Sequence, residues 1–168
     1  LRGCNASGLM VTHDPQEAMS ICDKVAVMNK GKIHQIDTPI NLLNNPKTIF
    51  VSSFILGNNI INLKKSGNSV MSCLGEINST GLSNNKHIKK MSISPKFISI
   101  KKSKSGDAKV ISKEFLGEFL IYKVSINDNI LRVRTNINNL LNNGDKCSLS
   151  INKNSHYFLY PGAHKVYL

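Results

Sequence analysis

His13 is the residue whose type and position could do chemistry. It stands between Gly8-Leu9-Met10-Val11, a continuous apolar run of strand length, and Asp14-Pro15, which reads as a helix start. Such a run predicts a strand buried on both faces. Asp14 is a good N-cap, Pro15 suits the first helical position, and Glu17 follows Asp14 at the spacing of a capping box. His13 is therefore expected at the carboxyl end of a buried strand and just before a helix N-terminus. In open α/β sheets that is where ligands bind. A helix N-terminus attracts anions such as phosphate and disfavours a cationic imidazole. A neutral His13 could donate one ring N–H to a phosphate oxygen while its other nitrogen faces water or backbone. The plainer alternative is a buried histidine satisfied by backbone groups.

The elements that must position His13 follow in order. Ala18, Ile21, Cys22 and Val25 recur at i, i+3, i+4 and i+7, which predicts one helix face. Val25 to Met28 reads as a strand, Asn29-Lys30-Gly31 as a tight turn, and Lys32 to Ile36 as the partner strand. Thr38 can cap a short helix that starts at Pro39, turns Leu42 and Leu43 inward and ends at Pro46. Thr48 to Ile55 predicts another short helix carrying Ile49, Phe50, Phe54 and Ile55, and Gly57-Asn58-Asn59 reads as a linker.

From Ile60 onward the periodicity changes. Short β-branched and aromatic runs alternate with Gly, Asn, Asp and Ser. The candidates are Ile60–Leu63, Val70–Leu74, Ser92-Ile93, Phe97–Ile100, Ala108–Phe115, Phe119–Ile126, Ile130–Thr135, Lys146–Ile151 and Tyr157–Leu159. This spacing, with turn signals at Asn127-Asp128-Asn129 and Asn143-Gly144-Asp145, predicts a small all-β barrel. The chain thus divides into residues 1–57 and residues 60–168.

Composition narrows the function classes. No apolar run approaches the ~18–20 residues of a transmembrane helix, and no charged-then-apolar leader opens the chain, so a soluble, intracellular piece is expected. Cys4, Cys22, Cys73 and Cys147 form no C-x-x-C pair, which argues for free, mostly buried thiols and against zinc. The net charge of +12 comes mainly from lysine, clustered at Lys64-Lys65, Lys86 with Lys89-Lys90, and Lys101-Lys102 with Lys104. Such a balance is compatible with a nucleic acid or an anionic membrane surface as partner. With no Trp, 6% aromatics and little Arg, stacking and bidentate phosphate contacts are scarce. Solvated surface lysines are the simpler reading, with a binding patch as the alternative.

The run Thr12-His13-Asp14 with Glu17-Ala18-Met19, then Asp23 to Ile33, then Thr38-Pro39, Asn45-Pro46 and Phe54 to Asn59, resembles the end of the nucleotide-binding domain of an ABC transporter ATPase. The resemblance covers about the first sixty residues. It implies the α/β C-terminal edge of a P-loop NTPase domain, with His13 as the switch histidine that contacts the terminal phosphate of ATP. The second half resembles the TOBE domain, an OB-like barrel that follows the ATPase core in many import-type members. Its landmarks are Met91-Ser92-Ile93-Ser94-Pro95-Lys96, Phe115-Leu116-Gly117, Gly144-Asp145 and Tyr160-Pro161-Gly162. Import ATPases usually carry Arg-Pro-Glu where this chain has Ser94-Pro95-Lys96, which puts a regulatory contact through that arginine and glutamate in doubt.

The resemblance further implies ATP and Mg2+ as cofactors, ABC permease subunits as partners and a homodimer of ATPase subunits. A periplasmic solute-binding protein would act indirectly, no nucleic acid is implied, and the location would be the cytoplasmic face of the inner membrane. Cys73-Leu74-Gly75-Glu76, the Gly81-Leu82 turn and the Phe115-Leu116-Gly117 strand end point toward the iron(III) branch, with polyamine, sulfate, thiamine or sugar import as alternatives. No G-x-x-x-x-G-K-[ST] loop, signature motif or magnesium-holding Asp-Glu strand end occurs in the chain, so this piece alone is expected not to hydrolyse ATP. A stand-alone OB-like module for oxyanions or nucleic acid is the reading from a different class.

Overall fold

A computed structural model describes residues 7–66, 69–77 and 88–168. Cys4, Lys86 and the Gly81-Leu82 turn lie outside the described residues. The first helix, α1 (Pro15–Ile21), precedes a hairpin of β1 (Val25–Asn29) and β2 (Lys32–Asp37). Asn29 pairs with Lys32 across a two-residue turn in which Lys30 and Gly31 take φ of 48° and 73°. Paired positive φ values match the strand twist and explain a glycine there. Two short helices follow, α2 (Pro39–Asn44) and α3 (Ile49–Leu56). Thr38 Oγ1 accepts the Asn41 N–H, Thr48 Oγ1 accepts the Val51 N–H, and Gly57 ends α3 in the left-handed conformation. Leu42 is buried as expected, but Leu43 is exposed, because a six-residue helix presents only one narrow face to its neighbours.

Val25, Val27, Leu42 and Val51 form the buried cluster of this part, with Ala18, Met19, Cys22, Phe50 and Ile55 against it. The predicted α1 face is therefore corrected. Ile21 is 61% exposed, and Val25 belongs to β1 rather than to the helix. The expected strand at Gly8-Leu9-Met10-Val11 is corrected too. Residues 7–12 form no helix or strand, with Leu9 95% and Val11 90% exposed. An extended apolar segment becomes a strand only when a neighbour takes its backbone N–H and C=O groups, and none of the described strands lies beside it.

The other described strands form antiparallel sheets. A four-stranded sheet runs β14 (His164–Tyr167), β13 (His156–Tyr160), β7 (Lys90–Ile93), β3 (Asn59–Asn62). A five-stranded sheet runs β11 (Asn129–Asn136), β10 (Phe119–Ile126), β9 (Ala108–Phe115), β12 (Lys146–Ile151), β8 (Ile98–Lys102). A three-stranded sheet joins β4 (Lys64–Ser66), β5 (Ser69–Ser72) and β6 (Gly75–Ile77). One core lies between them, with Ile61, Met91, Ile93, Tyr122, Val124, Val133, Tyr157 and Leu159 among its fully buried side chains. Tyr122 donates its hydroxyl to Asn139 O at 2.6 Å and accepts the Leu141 N–H at 3.0 Å, so this core phenol is satisfied. The strands expected to form a barrel appear as ladders around a shared core, and the end strands β11 and β8 of the five-stranded sheet lie against each other without a described ladder between them. The short strands β4, β6 and β14 are additions to the predicted set.

The linker expected at Gly57-Asn58-Asn59 is also corrected. Asn58 and Asn59 are buried, and Asn59 begins β3. The Asn59 side-chain amide donates to Arg132 O and accepts the Arg132 N–H, each at 2.8 Å. It thereby acts as a one-residue strand against the edge of β11. Asn58 Nδ2 donates to Ser52 Oγ at 3.2 Å and Ser92 Oγ at 3.1 Å, and those hydroxyls meet at 2.5 Å. Tyr160 donates its hydroxyl to Pro46 O at 2.7 Å. Helix α3 is therefore hydrogen-bonded directly to the four-stranded sheet.

Candidate functional site

The segment around His13 is held by its neighbours' side chains. Asp14 Oδ1 accepts the Gln16 N–H at 2.8 Å, as an N-cap should. Glu17 does not close the expected capping box onto Asp14. Instead Thr12 Oγ1 accepts the Asp14 N–H at 3.0 Å and donates to Glu17 Oε2 at 2.7 Å. The threonine hydroxyl thus relays the contact that a capping box makes directly. Its position two residues before the cap was the available sequence signal for this role.

The backbone on both sides of His13 is pinned while its own side chain is exposed. The ring makes no hydrogen bond among the described residues. The alternative of a buried, backbone-satisfied histidine is thus not realised. Helix α1 fixes this cap to the protein through Ala18, Met19 and Cys22, which pack on the Val25, Val27, Leu42 and Val51 cluster. An exposed imidazole whose ring nitrogens have no partner among the described residues suits one contact to a phosphate oxygen. The described residues hold no group of three or more His, Cys, Asp or Glu side chains able to bind a metal ion.

The remaining landmarks have structural roles. Ser94-Pro95-Lys96 leads into a 3₁₀ turn over Pro95–Phe97, immediately before β8. At Gly144-Asp145, Asp145 Oδ2 accepts the Asn142 N–H and the Lys102 ammonium, each at 2.9 Å. The Asn142 amide, then Lys102, hold its carboxyl below the usual range. Tyr160 of Tyr160-Pro161-Gly162 is the phenol that reaches Pro46, and burial pushes its pKa up to about 12. Cys147 is buried and Cys22 and Cys73 half-buried, all as free thiols, and burial raises the Cys73 and Cys147 pKa values. No helix among the described residues is long and apolar enough to cross a membrane.

No family model matches the chain. Curated relatives match over about a third of it. A spermidine/putrescine import ATP-binding protein of Bacillus thuringiensis (strain Al Hakam) is 52% identical over 60 residues, which are 36% of this chain and 18% of the relative. An sn-glycerol-3-phosphate import ATP-binding protein of Bartonella bacilliformis is 54% identical over 54 residues, 32% of this chain and 16% of the relative. A spermidine/putrescine import ATP-binding protein of Trichormus variabilis is 54% identical over 52 residues, 31% of this chain and 14% of the relative. The chain therefore spans less than a fifth of the length of these relatives. Over this stretch the chain is similar to import ATP-binding proteins. The relatives' names give the iron(III) expectation no support.

Proposed function

We propose that this chain is the C-terminal part of the ATP-hydrolysing subunit of an ABC importer, and that polyamine is the solute class. The observation that carries the reading is the 52–54% identity to import ATP-binding proteins. The exposed, cap-held His13 agrees with it. In the intact subunit ATP with Mg2+ supplies the phosphoryl group whose hydrolysis drives transport. His13 holds a ring N–H toward the terminal phosphate and helps orient the attacking water. Thr12, Asp14 and Glu17 hold the backbone on which His13 stands, and α1 anchors them. The loop that cradles the phosphates and the magnesium ligands belong to segments outside this chain, so the 168-residue piece by itself has no turnover.

The residues from Ile60 onward would form the TOBE-like domain of that subunit. Its partners would be a second ATPase subunit and the permease, at the cytoplasmic face of the cell membrane. A solute-binding protein would act on the far side. Polyamine is favoured over iron(III) because two of the three relatives named above import spermidine and putrescine. The test is an uptake assay in a strain lacking its polyamine-import ATPase subunit. The strain is complemented with a chimera that carries this chain in place of the native C-terminal part. Restored uptake of labelled spermidine is expected. Restored ferric iron uptake in an iron-import mutant, without spermidine uptake, would overturn the solute assignment and leave the ATPase class standing.

A further inference from the structure

The outward face of the five-stranded sheet carries a concentration of positive charge that the ATPase reading leaves unused. Alternate residues of its strands turn away from the core, as the burial of Val110, Val124, Leu131, Val133 and Cys147 between them shows. The outward positions include Lys101, Lys109, Lys123, Arg132, Arg134 and Lys146, all exposed. None of them makes an ion pair among the described residues. Glu114 is the one carboxylate among the described residues that this face's ladder contains.

The register makes this arrangement costly. Lys123 lies directly opposite Arg132, and Lys109 directly opposite Lys146. Like charges at directly opposed positions destabilise a sheet, whereas a Lys–Glu pair at either place would stabilise it. A surface shaped only for solubility has no need to stack cations in register. Such stacking is favourable when a polyanion covers it.

We propose that this face docks on a membrane surface rich in anionic lipid headgroups. The proposal is independent of the importer reading. Lys146, Lys109 and Lys123 stand on the adjacent strands β12, β9 and β10, so a headgroup layer can meet their charges together. Most of its cations are lysines, point charges on long apolar stems that adapt to diffuse headgroup charge. Ile130, 68% exposed and paired with Ser125, adds an apolar side chain on the same face. Single-stranded nucleic acid is the poorer fit. The ring on this face is Phe119, one side of which the Arg134 guanidinium already covers at 3.7 Å.

The test uses the purified chain and sedimentation with vesicles of phosphatidylcholine, with or without phosphatidylglycerol. Binding is expected only with the anionic lipid and should be lost in 0.5 M salt, where the Debye length is only about 4–5 Å. Each lysine near an anionic surface contributes about fivefold in partitioning. The variant Lys109→Gln/Lys123→Gln/Lys146→Gln should thus bind on the order of 10²-fold more weakly. The control Lys32→Gln/Lys64→Gln/Lys65→Gln removes the same charge elsewhere and should change partitioning by less than about fivefold. Lys109→Gln alone should raise the melting temperature, because it relieves the clash with Lys146. No vesicle binding by the wild-type chain overturns the proposal. So does equal loss in both triple variants, a lower melting temperature for Lys109→Gln, or tighter binding to single-stranded RNA than to the vesicles.

Discussion

Replacing Asn59 with alanine would remove the amide that stitches β3 to the edge of β11. Its hydrogen bonds to the Arg132 backbone, donor and acceptor each at 2.8 Å, join residues 73 positions apart in the chain. A typical intramolecular hydrogen bond contributes about 0.5–1.5 kcal/mol net, and a buried group left unpaired costs about 1–3 kcal/mol. Asn59 is only 7% exposed, so water reaches the vacated site poorly. Asn59→Ala should then destabilise the protein by about 2–4 kcal/mol. For a chain of this length that corresponds to a fall of roughly 5–15 °C in melting temperature. Asn59→Asp should be at least as damaging, since a carboxylate cannot donate to Arg132 O. The assay is urea denaturation followed by circular dichroism, with the exposed strand residue Asn62→Ala as control. A loss below about 0.5 kcal/mol, the scatter of ordinary surface substitutions, would refute the reasoning.

Limited proteolysis should yield no early fragment ending at residues 57–59, because Asn58 and Asn59 are buried; early fragments ending there, identified by mass spectrometry, would contradict the packing. Thr12→Val should weaken the α1 cap by about 1 kcal/mol, read as lower thermal stability, while Glu17→Gln, whose amide oxygen still accepts from Thr12, should cost less. Asp145 has a lowered carboxyl pKa in the folded protein, so its stabilisation is fully present above the ordinary carboxylate range and lost as pH falls through the folded value; denaturation midpoints between pH 6 and 3 should drop more for the wild-type chain than for Asp145→Asn. The isolated chain should show no ATP binding by calorimetry.

Much of the fold was legible because short-range signals decide it. The bounds of β9, β10 and β12 follow from apolar alternation between turn residues, and Thr38 and Thr48 announce α2 and α3. Several of the failures involve distant partners. Lys64–Ser66 has no apolar alternation and is a strand only because β5 pairs with it. Gly57-Asn58-Asn59 has the composition of a linker, and nothing local shows that its amides bond to Ser92 and Arg132. The apolar run at 8–11 shows the converse, a strand signal without a strand partner among the described residues. At the candidate site, the Asp14 cap was readable, but the Thr12 relay to Glu17 depends on how the chain enters the helix.

Turnover of the intact subunit would depend on His13. The most direct test is ATP turnover by the chimeric import subunit described above, with and without His13→Ala. Loss of one contact to the transition state typically lowers turnover by ~10²–10³. His13→Ala should therefore retain equilibrium ATP binding and lose turnover by about that factor. A His13→Ala chimera that hydrolyses ATP at the unmodified rate would contradict the assignment.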